Sequence, residues 1–190
     1  MINRGLKAYF GFEYNCKALN LVMWDKKKLI FKTLDTHVIL YGCEVWGCSI
    51  SRESRWKIEQ IQKRFIMYNL NINNNTPYPI LLIQVGLSPI ESLAMTRLLL
   101  YKHKINNMGD HILLKLALNS SQIHLRLKQG WYKYTRALLN HWEIRENVAL
   151  QNINNIKNIV TSNFKEKIWC EKDLVAKRKL RYYKEVINLL

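Results

Sequence analysis

The chain has 190 residues, 48% of them hydrophobic, which is enough to bury a core and argues against extensive disorder. Thirty Lys and Arg side chains against 14 Asp and Glu side chains give a formal net charge of +16. Because a compact domain with this charge repels itself, the composition favours a polyanionic partner, with nucleic acid first and an anionic membrane surface second.

Membrane-spanning and metal-binding classes find no support in the sequence. No apolar run reaches the ~20 residues that cross a bilayer, and the N-terminus lacks the apolar segment of a signal peptide. We therefore expect an intracellular protein, nuclear or cytoplasmic, with no membrane partner and no small-molecule substrate. The four cysteines form no Cys-x-x-Cys pair and the five histidines lack metal-ligand spacing, so we expect no metal and no cofactor.

Helical periodicity runs through most of the chain and predicts an all-α fold, a basic multi-helix bundle. The first predicted helix covers residues 2–21, and its apolar positions include Leu6, Tyr9, Phe10 and Leu19. A second predicted helix is capped by Asp25 and runs to about Gly42. Its expected apolar face consists of Ile30, Leu34, Val38 and Tyr41.

The middle of the chain contains the clearest helix boundaries. Ser49 or Ser51 is predicted to start a third helix, whose apolar positions are Ile58, Ile61, Phe65 and Tyr68. The asparagine-rich residues 69–76 predict a loop. Thr76 and Pro77 are then placed to start a short helix that ends at Gly86.

A capping box is predicted where Ser88 accepts from the Glu91 amide and the Glu91 carboxylate reaches back. The helix that it starts is expected to end near Gly109. Further helices are predicted over residues 112–118, 131–142 and 153 to about 174. We divide the chain into a helical region, residues 1–108, and a C-terminal helical extension, residues 109–190.

One run of eight residues is the most distinctive motif: Leu40, Tyr41, Gly42, Cys43, Glu44, Val45, Trp46 and Gly47. It resembles the LYGSEVWG-like signature that follows the catalytic palm in reverse transcriptases of LINE-type (non-LTR) retrotransposons. The alternative is that Tyr41 and Trp46 are simply core aromatics at a helix end. The two interpretations are compatible, because we expect the signature itself to be core, with Glu44 as a structural carboxylate.

Five other segments are similar to segments of the same family and follow its order. Residues 4–8 resemble the lead-in to the signature, and residues 58–65 resemble an IEKVQLRF segment. Thr76-Pro77 with residues 86–91 resembles a TPN…GELGR-PLE stretch. Residues 131–139 and 179–184 resemble a W-x-x-x-V-x-x-LL segment and a KLRTYK segment. The resemblance therefore covers nearly the whole chain.

The resemblance implies a thumb, the helical bundle that grips the primer-template duplex, and not a polymerase. The catalytic palm of this family holds two Mg²⁺ ions with an Asp-Asp turn, and no Asp-Asp pair occurs in this chain. We therefore expect a non-catalytic, thumb-like fragment. The partners implied are RNA or an RNA–DNA hybrid, together with the palm and fingers of a reverse transcriptase.

Three basic groups are candidate nucleic-acid contacts, and each has a simpler interpretation as a solvated polar surface. The group on the third predicted helix consists of Arg52, Arg55, Lys57, Gln60, Lys63 and Arg64. A second group, Lys26, Lys27 and Lys28, opens the second predicted helix. A third, beside two tyrosines able to stack on bases, consists of Lys177, Arg178, Lys179 and Arg181. We expect Trp24, Trp56 and Trp169 to be core residues.

Two other functions remain open at this point. The chain could be an independent basic helical module that docks on a protein or an anionic membrane, or the functionless product of a decayed element. Membrane docking predicts one helix with separate apolar and basic faces. Every quarter of this chain instead has a net positive charge, which favours an extended polyanion.

Overall fold

The computed structural model describes residues 2–73, 75–123, 131–141, 144 and 153–170. Every regular element in these ranges is a helix, and no strand occurs among them, which confirms the predicted all-α class. The elements are α1 (Ile2–Ala18), α2 (Trp24–Ile30), a π-helical turn (Phe31–Asp35), α3 (Thr36–Ile39), α4 (Cys43–Trp46), α5 (Arg52–Leu70), α6 (Tyr78–Val85), α7 (Ile90–Asn106), α8 (Leu113–Ile123), α9 (Trp131–His141) and α10 (Ile153–Cys170).

A first core lies among α1, the π-helical turn, α3, α5 and α6, with aromatic rings at its centre. The Phe31 and Phe65 rings stack with their centroids 4.0 Å apart, and the Trp24 ring stacks on Phe65 at 5.4 Å. Phe12 of α1 packs edge-on against both phenylalanines. These rings bury large apolar areas, so they hold α1, α2 and α5 together.

A second core joins α7 to α9 and α10. Its α7 side chains are Met95, Leu98 and Leu99, and its α9 and α10 side chains include Leu139, Ile156, Val160 and Phe164. The first residue of α7, Ile90, belongs to the first core, so α7 contributes to both. The boundary that we placed between residues 108 and 109 stays a prediction.

Two predicted helix boundaries are confirmed by local geometry. The Ser51 hydroxyl accepts from the Ser54 amide at 3.2 Å and caps α5. Gly86 ends α6 in the left-handed region at φ 60°, where a Cβ atom would be strained. Ser51 and Gly86 are each directly adjacent to the helix end that they specify.

Three other predicted helix starts are wrong by one or two residues. Met23, not Asp25, precedes α2, and Asp25 lies within its first turn. Pro77, not Thr76, precedes α6. Pro89 precedes α7, no side chain caps that end from the N-cap position, and Glu91 instead pairs with a residue of α5. A tertiary contact has therefore replaced the local capping box.

The π-helical turn changes which side of the α2–α3 segment is buried. A π turn accommodates an extra residue, so the residues that follow are rotated about the helix axis. Leu34, Val38 and Tyr41, which we predicted to be buried, are 62%, 43% and 79% exposed. The side chains that enter the core are Phe31, Asp35, Thr36, Ile39 and Leu40.

Candidate nucleic-acid interface

Helix α5 presents opposite sides to the first core and to solvent. Its buried apolar residues are Ile58, Ile61, Phe65 and Ile66. At about 100° per residue, its outward side carries Trp56, Lys57, Gln60, Arg64 and Tyr68, together with Glu53, the ion-pair partner of Lys57. Of the first five residues, four are exposed and Gln60 is half-buried, and we call these five the α5 outer face. The sequence placed three of them, Lys57, Gln60 and Arg64, in one candidate site, and the structure brings them together.

Lys57 and Arg64 are the two cations of the α5 outer face. They are separated by seven residues, so their Cα atoms lie nearly in line and about 10 Å apart along the axis. Lys57 pairs with Glu53 at 2.6 Å, which lowers the pKa of Glu53. Both partners of this pair are exposed, and a pair in water is weak enough for a phosphate to replace the carboxylate.

Arg55, also predicted as a nucleic-acid contact, has a structural role instead. Its Nη1 donates to the Glu91 carboxylate at 2.9 Å, with the side chains only 30% and 18% exposed. The contact ties α5 to the first turn of α7, where a carboxylate also interacts favourably with the helix dipole. We therefore remove Arg55 from the candidate interface.

The Lys26, Lys27 and Lys28 group is also divided by the structure. Lys28 donates from Nζ to the carbonyl of Val85, the last residue of α6, so it stabilises a helix C-terminus. Lys26 is exposed and Lys27 is half-buried. Of these three lysines, only Lys26 has the exposed side chain that we expect of a phosphate contact.

The remaining predicted cations are not part of the α5 outer face or lie outside the described residues. Arg52 is exposed at the first position of α5, and Lys63 is half-buried beside the α5 outer face. The group Lys177, Arg178, Lys179 and Arg181, with the 179–184 segment, lies outside the described residues.

Trp56 is a candidate contact that the sequence reasoning missed. We expected a core residue, but Trp56 is 57% exposed on the α5 outer face, one position before Lys57. Trp24, in contrast, packs against the core as expected. The sequence does contain a signal for this exposure. Trp56 lies two positions before the buried Ile58, which places the two side chains on opposite sides of α5.

The eight-residue signature forms a turn and the short helix α4 between α3 and α5, and it is held from two sides. Gly42 takes a left-handed conformation at φ 68°, and the Trp46 indole donates to the Tyr41 carbonyl at 2.8 Å. The Trp131 indole of α9 donates to the Glu44 carbonyl at 2.8 Å. The first two features explain why glycine occurs at position 42 and tryptophan at position 46.

The expectation that the whole signature is core is wrong. Leu40 and Cys43 are buried, at 1% and 0% exposure. Tyr41 and Val45 point to solvent, at 79% and 64% exposure, and Tyr41 is therefore not a core aromatic. Tyr41 and Trp46 line an open depression together with Arg4, Val38, Ser49 and Ile50.

Within the described part of the chain, no group of three or more His, Cys, Asp and Glu side chains could hold a metal ion. In the same residues, no single helix is both long and apolar enough to cross a bilayer. Helices α6 and α7 reach that length and composition only as a pair, bent by 73° at the break between them.

No known protein family matches this chain, and neither a curated protein nor a solved structure matches it. The resemblance to LINE-type reverse transcriptases therefore stays a prediction that depends on the motifs quoted above.

Proposed function

We propose that the chain grips the backbone of an RNA-containing duplex through the α5 outer face, as the thumb of a LINE-type reverse transcriptase would. In this proposal the chain catalyses no polymerisation, and the palm and fingers belong to a partner. Contacts to phosphates and sugars carry no sequence information, so binding would tolerate any sequence.

The observation that carries the proposal is the alignment of Lys57 and Arg64 on the exposed side of a helix whose other side is firmly buried. A rigid helix holds the two Cα atoms at a fixed separation, so little backbone entropy is lost when both side chains meet phosphates. Gln60 lies between them and can hydrogen-bond to sugar hydroxyls. The net charge of +16 supports attraction over a longer range.

Fluorescence anisotropy with a labelled RNA–DNA hybrid at several salt concentrations tests the proposal. We expect a Kd in the micromolar range or weaker at physiological salt, and a plot of log K against log[salt] with a slope of roughly −4 to −5 for ~4–6 phosphates. The double variant Lys57→Ala, Arg64→Ala should reduce the magnitude of this slope by about one to two.

The matched control is Arg55→Ala, which removes one charge from the same helix but from the side that faces α7. It should leave the slope within experimental error of the wild type. A wild-type slope near zero, or equal effects of both variants, contradicts the proposal. A purified chain that extends a primer would contradict the non-catalytic assignment.

A second candidate function is docking on a protein partner, which the exposed apolar side chains Val38, Tyr41 and Val45 favour. Replacing Tyr41 and Val45 by Ser should then abolish a complex with a reverse-transcriptase palm while leaving the salt dependence of duplex binding unchanged. If duplex binding also depends on Tyr41 and Val45, the protein-docking surface is not separate from the duplex-binding surface, and this second proposal is contradicted.

A further inference from the structure

The side of α1 that faces away from the first core carries two aromatic rings between two lysines. Lys7, Phe10, Tyr14 and Lys17 are spaced by three, four and three residues, which places them on one side of a helix. Phe10 is 59% and Tyr14 is 74% exposed, and both lysines are exposed as well. We call these four residues the α1 ridge.

The α1 ridge is anchored to the rest of the fold. The Phe10 ring lies 5.5 Å from the ring of Tyr9, centroid to centroid, and Tyr9 is buried in the first core. Lys17 places its Nζ atom 5.4 Å from the centre of the Tyr68 ring, on the α5 outer face. Hydrogen bonding to Tyr68 raises the pKa of Lys17. The ridge therefore adjoins the surface that carries Arg64.

The exposed charge on α1 itself has one sign. The only acidic residue of α1 is Glu13, which is 9% exposed and accepts from the Asn69 side-chain amide at 2.8 Å. The exposed charged side chains of α1 are thus Arg4, Lys7 and Lys17. A ligand that fits this surface has negative charges at intervals and flat apolar faces between them.

We infer that the α1 ridge binds single-stranded nucleic acid, with one base stacked on Phe10, another on Tyr14, and phosphates beside Lys7 and Lys17. The two aromatic residues are one helical turn apart, about 6 Å along the axis, which leaves each ring free to meet its own base. Aromatic rings with flanking cations are the common means of binding unpaired strands without sequence preference.

This inference extends the nucleic-acid role proposed above but can fail separately from it. A single strand exposes its base faces, whereas a duplex hides them in its stack. Loss of the Phe10 and Tyr14 rings should therefore weaken single-strand binding alone. Loss of Lys57 and Arg64 should weaken duplex binding whether or not the ridge has any role.

The test measures the affinity of the full chain for a labelled oligouridylate of about 12 nucleotides and, in parallel, for the RNA–DNA hybrid. Phe10→Ala and Tyr14→Ala should each weaken oligouridylate binding by about 5- to 100-fold. Each should leave hybrid binding within about twofold of the wild type. Tyr14→Phe keeps the stacking face and should retain wild-type affinity for the oligouridylate.

The matched control is Tyr41→Ala, since Tyr41 is as exposed as Tyr14 but lies beside Trp46, outside the ridge. It should leave oligouridylate binding unchanged. Unchanged affinity in both Phe10→Ala and Tyr14→Ala overturns the inference, and so does an equal loss of single-strand and hybrid binding. Phosphatidylserine vesicles that bind through the same two rings, without oligouridylate binding, would identify a membrane surface and also overturn it.

Discussion

The Oε1 atom of Gln62 accepts a hydrogen bond from the Ile90 amide at 3.2 Å, so a residue in the middle of α5 satisfies the first turn of α7. Its Nε2 atom donates to the Ser88 carbonyl at 3.0 Å, and its Oε1 also accepts from the Tyr78 hydroxyl. Gln62 is only 2% exposed. One buried amide thereby connects α5 to α6 and α7.

Replacing Gln62 by Leu should destabilise the protein by about 2–4 kcal/mol, because three buried polar groups would lose their partner. Urea denaturation followed by circular dichroism measures this loss. Gln60→Leu, two residues earlier on the α5 outer face, is the control and should change stability by less than about 0.5 kcal/mol. Similar losses in the two variants would show that the Gln62 hydrogen bonds contribute little.

Asp35 should make the stability depend on pH. Burial, reinforced by the nearby Glu13 carboxylate, raises the pKa of Asp35 to about 7, and its Oδ2 atom has no hydrogen-bond partner. The folded protein therefore holds this proton more tightly than the unfolded chain does. The resulting stabilisation is fully present below the ordinary carboxyl pKa and is lost as the pH rises through about 7.

The variant Asp35→Asn removes this titration. Relative to the wild type, its free energy of unfolding should increase by about 1–2 kcal/mol between about pH 4 and about pH 8, a value reduced for partial solvent screening. The new amide can also change the stability by an amount that is the same at every pH, and this amount does not affect the pH-dependent difference. A difference that is independent of pH would mean that Asp35 is ionised throughout, with an unshifted pKa.

Two glycine-to-alanine substitutions should change the free energy of unfolding in opposite directions. Gly86 lies at φ 60°, so Gly86→Ala should destabilise by about 1–2 kcal/mol, because a Cβ atom is strained in the left-handed region. The space itself is adequate, since the nearest atom would be Lys28 Nζ at 3.7 Å. Gly11 is exposed within α1 with nothing within 4 Å, so Gly11→Ala should stabilise by about 0.5–1 kcal/mol. Thermal melts of both variants test the pair, and equal signs would contradict the assigned conformations.

The variants Arg55→Ala and Arg64→Ala should differ in their effect on stability, because Arg55 has a structural contact and Arg64 is exposed. Arg55→Ala breaks a half-buried pair with Glu91 and should cost about 1–2 kcal/mol of unfolding free energy. Arg64→Ala removes an exposed side chain and should change stability by less than about 0.5 kcal/mol. Urea denaturation of the two variants measures the difference. A larger loss from Arg64→Ala would mean that Arg64 is a structural residue, and the α5 outer face would lose one of its two cations.

The helical class, most helix positions and the boundary at Gly86 followed from the sequence alone, and the boundary at Ser51 was one of two that the sequence offered. Each depends on interactions within one or two turns: apolar spacing for the helices, a hydroxyl three residues from an amide at Ser51, and the freedom of glycine at Gly86. Such interactions have the same partners in any fold that contains the helix. The grouping of Lys57, Gln60 and Arg64 also follows from helical spacing.

Only the tertiary structure decided which residues belong to the core, to the helix ends and to the candidate interface. The π-helical turn exposed Leu34 and Val38, which a regular helix would have buried. The Gln62 side chain, not Ser88, accepts from an amide at the start of α7. The ion pair with Glu91 gives Arg55 a structural contact in place of the predicted phosphate contact. Each outcome depends on a partner 26 to 36 residues away or on the rotation of a whole segment. Local propensity carries no information on such contacts, because their free energy arises only when distant helices pack together.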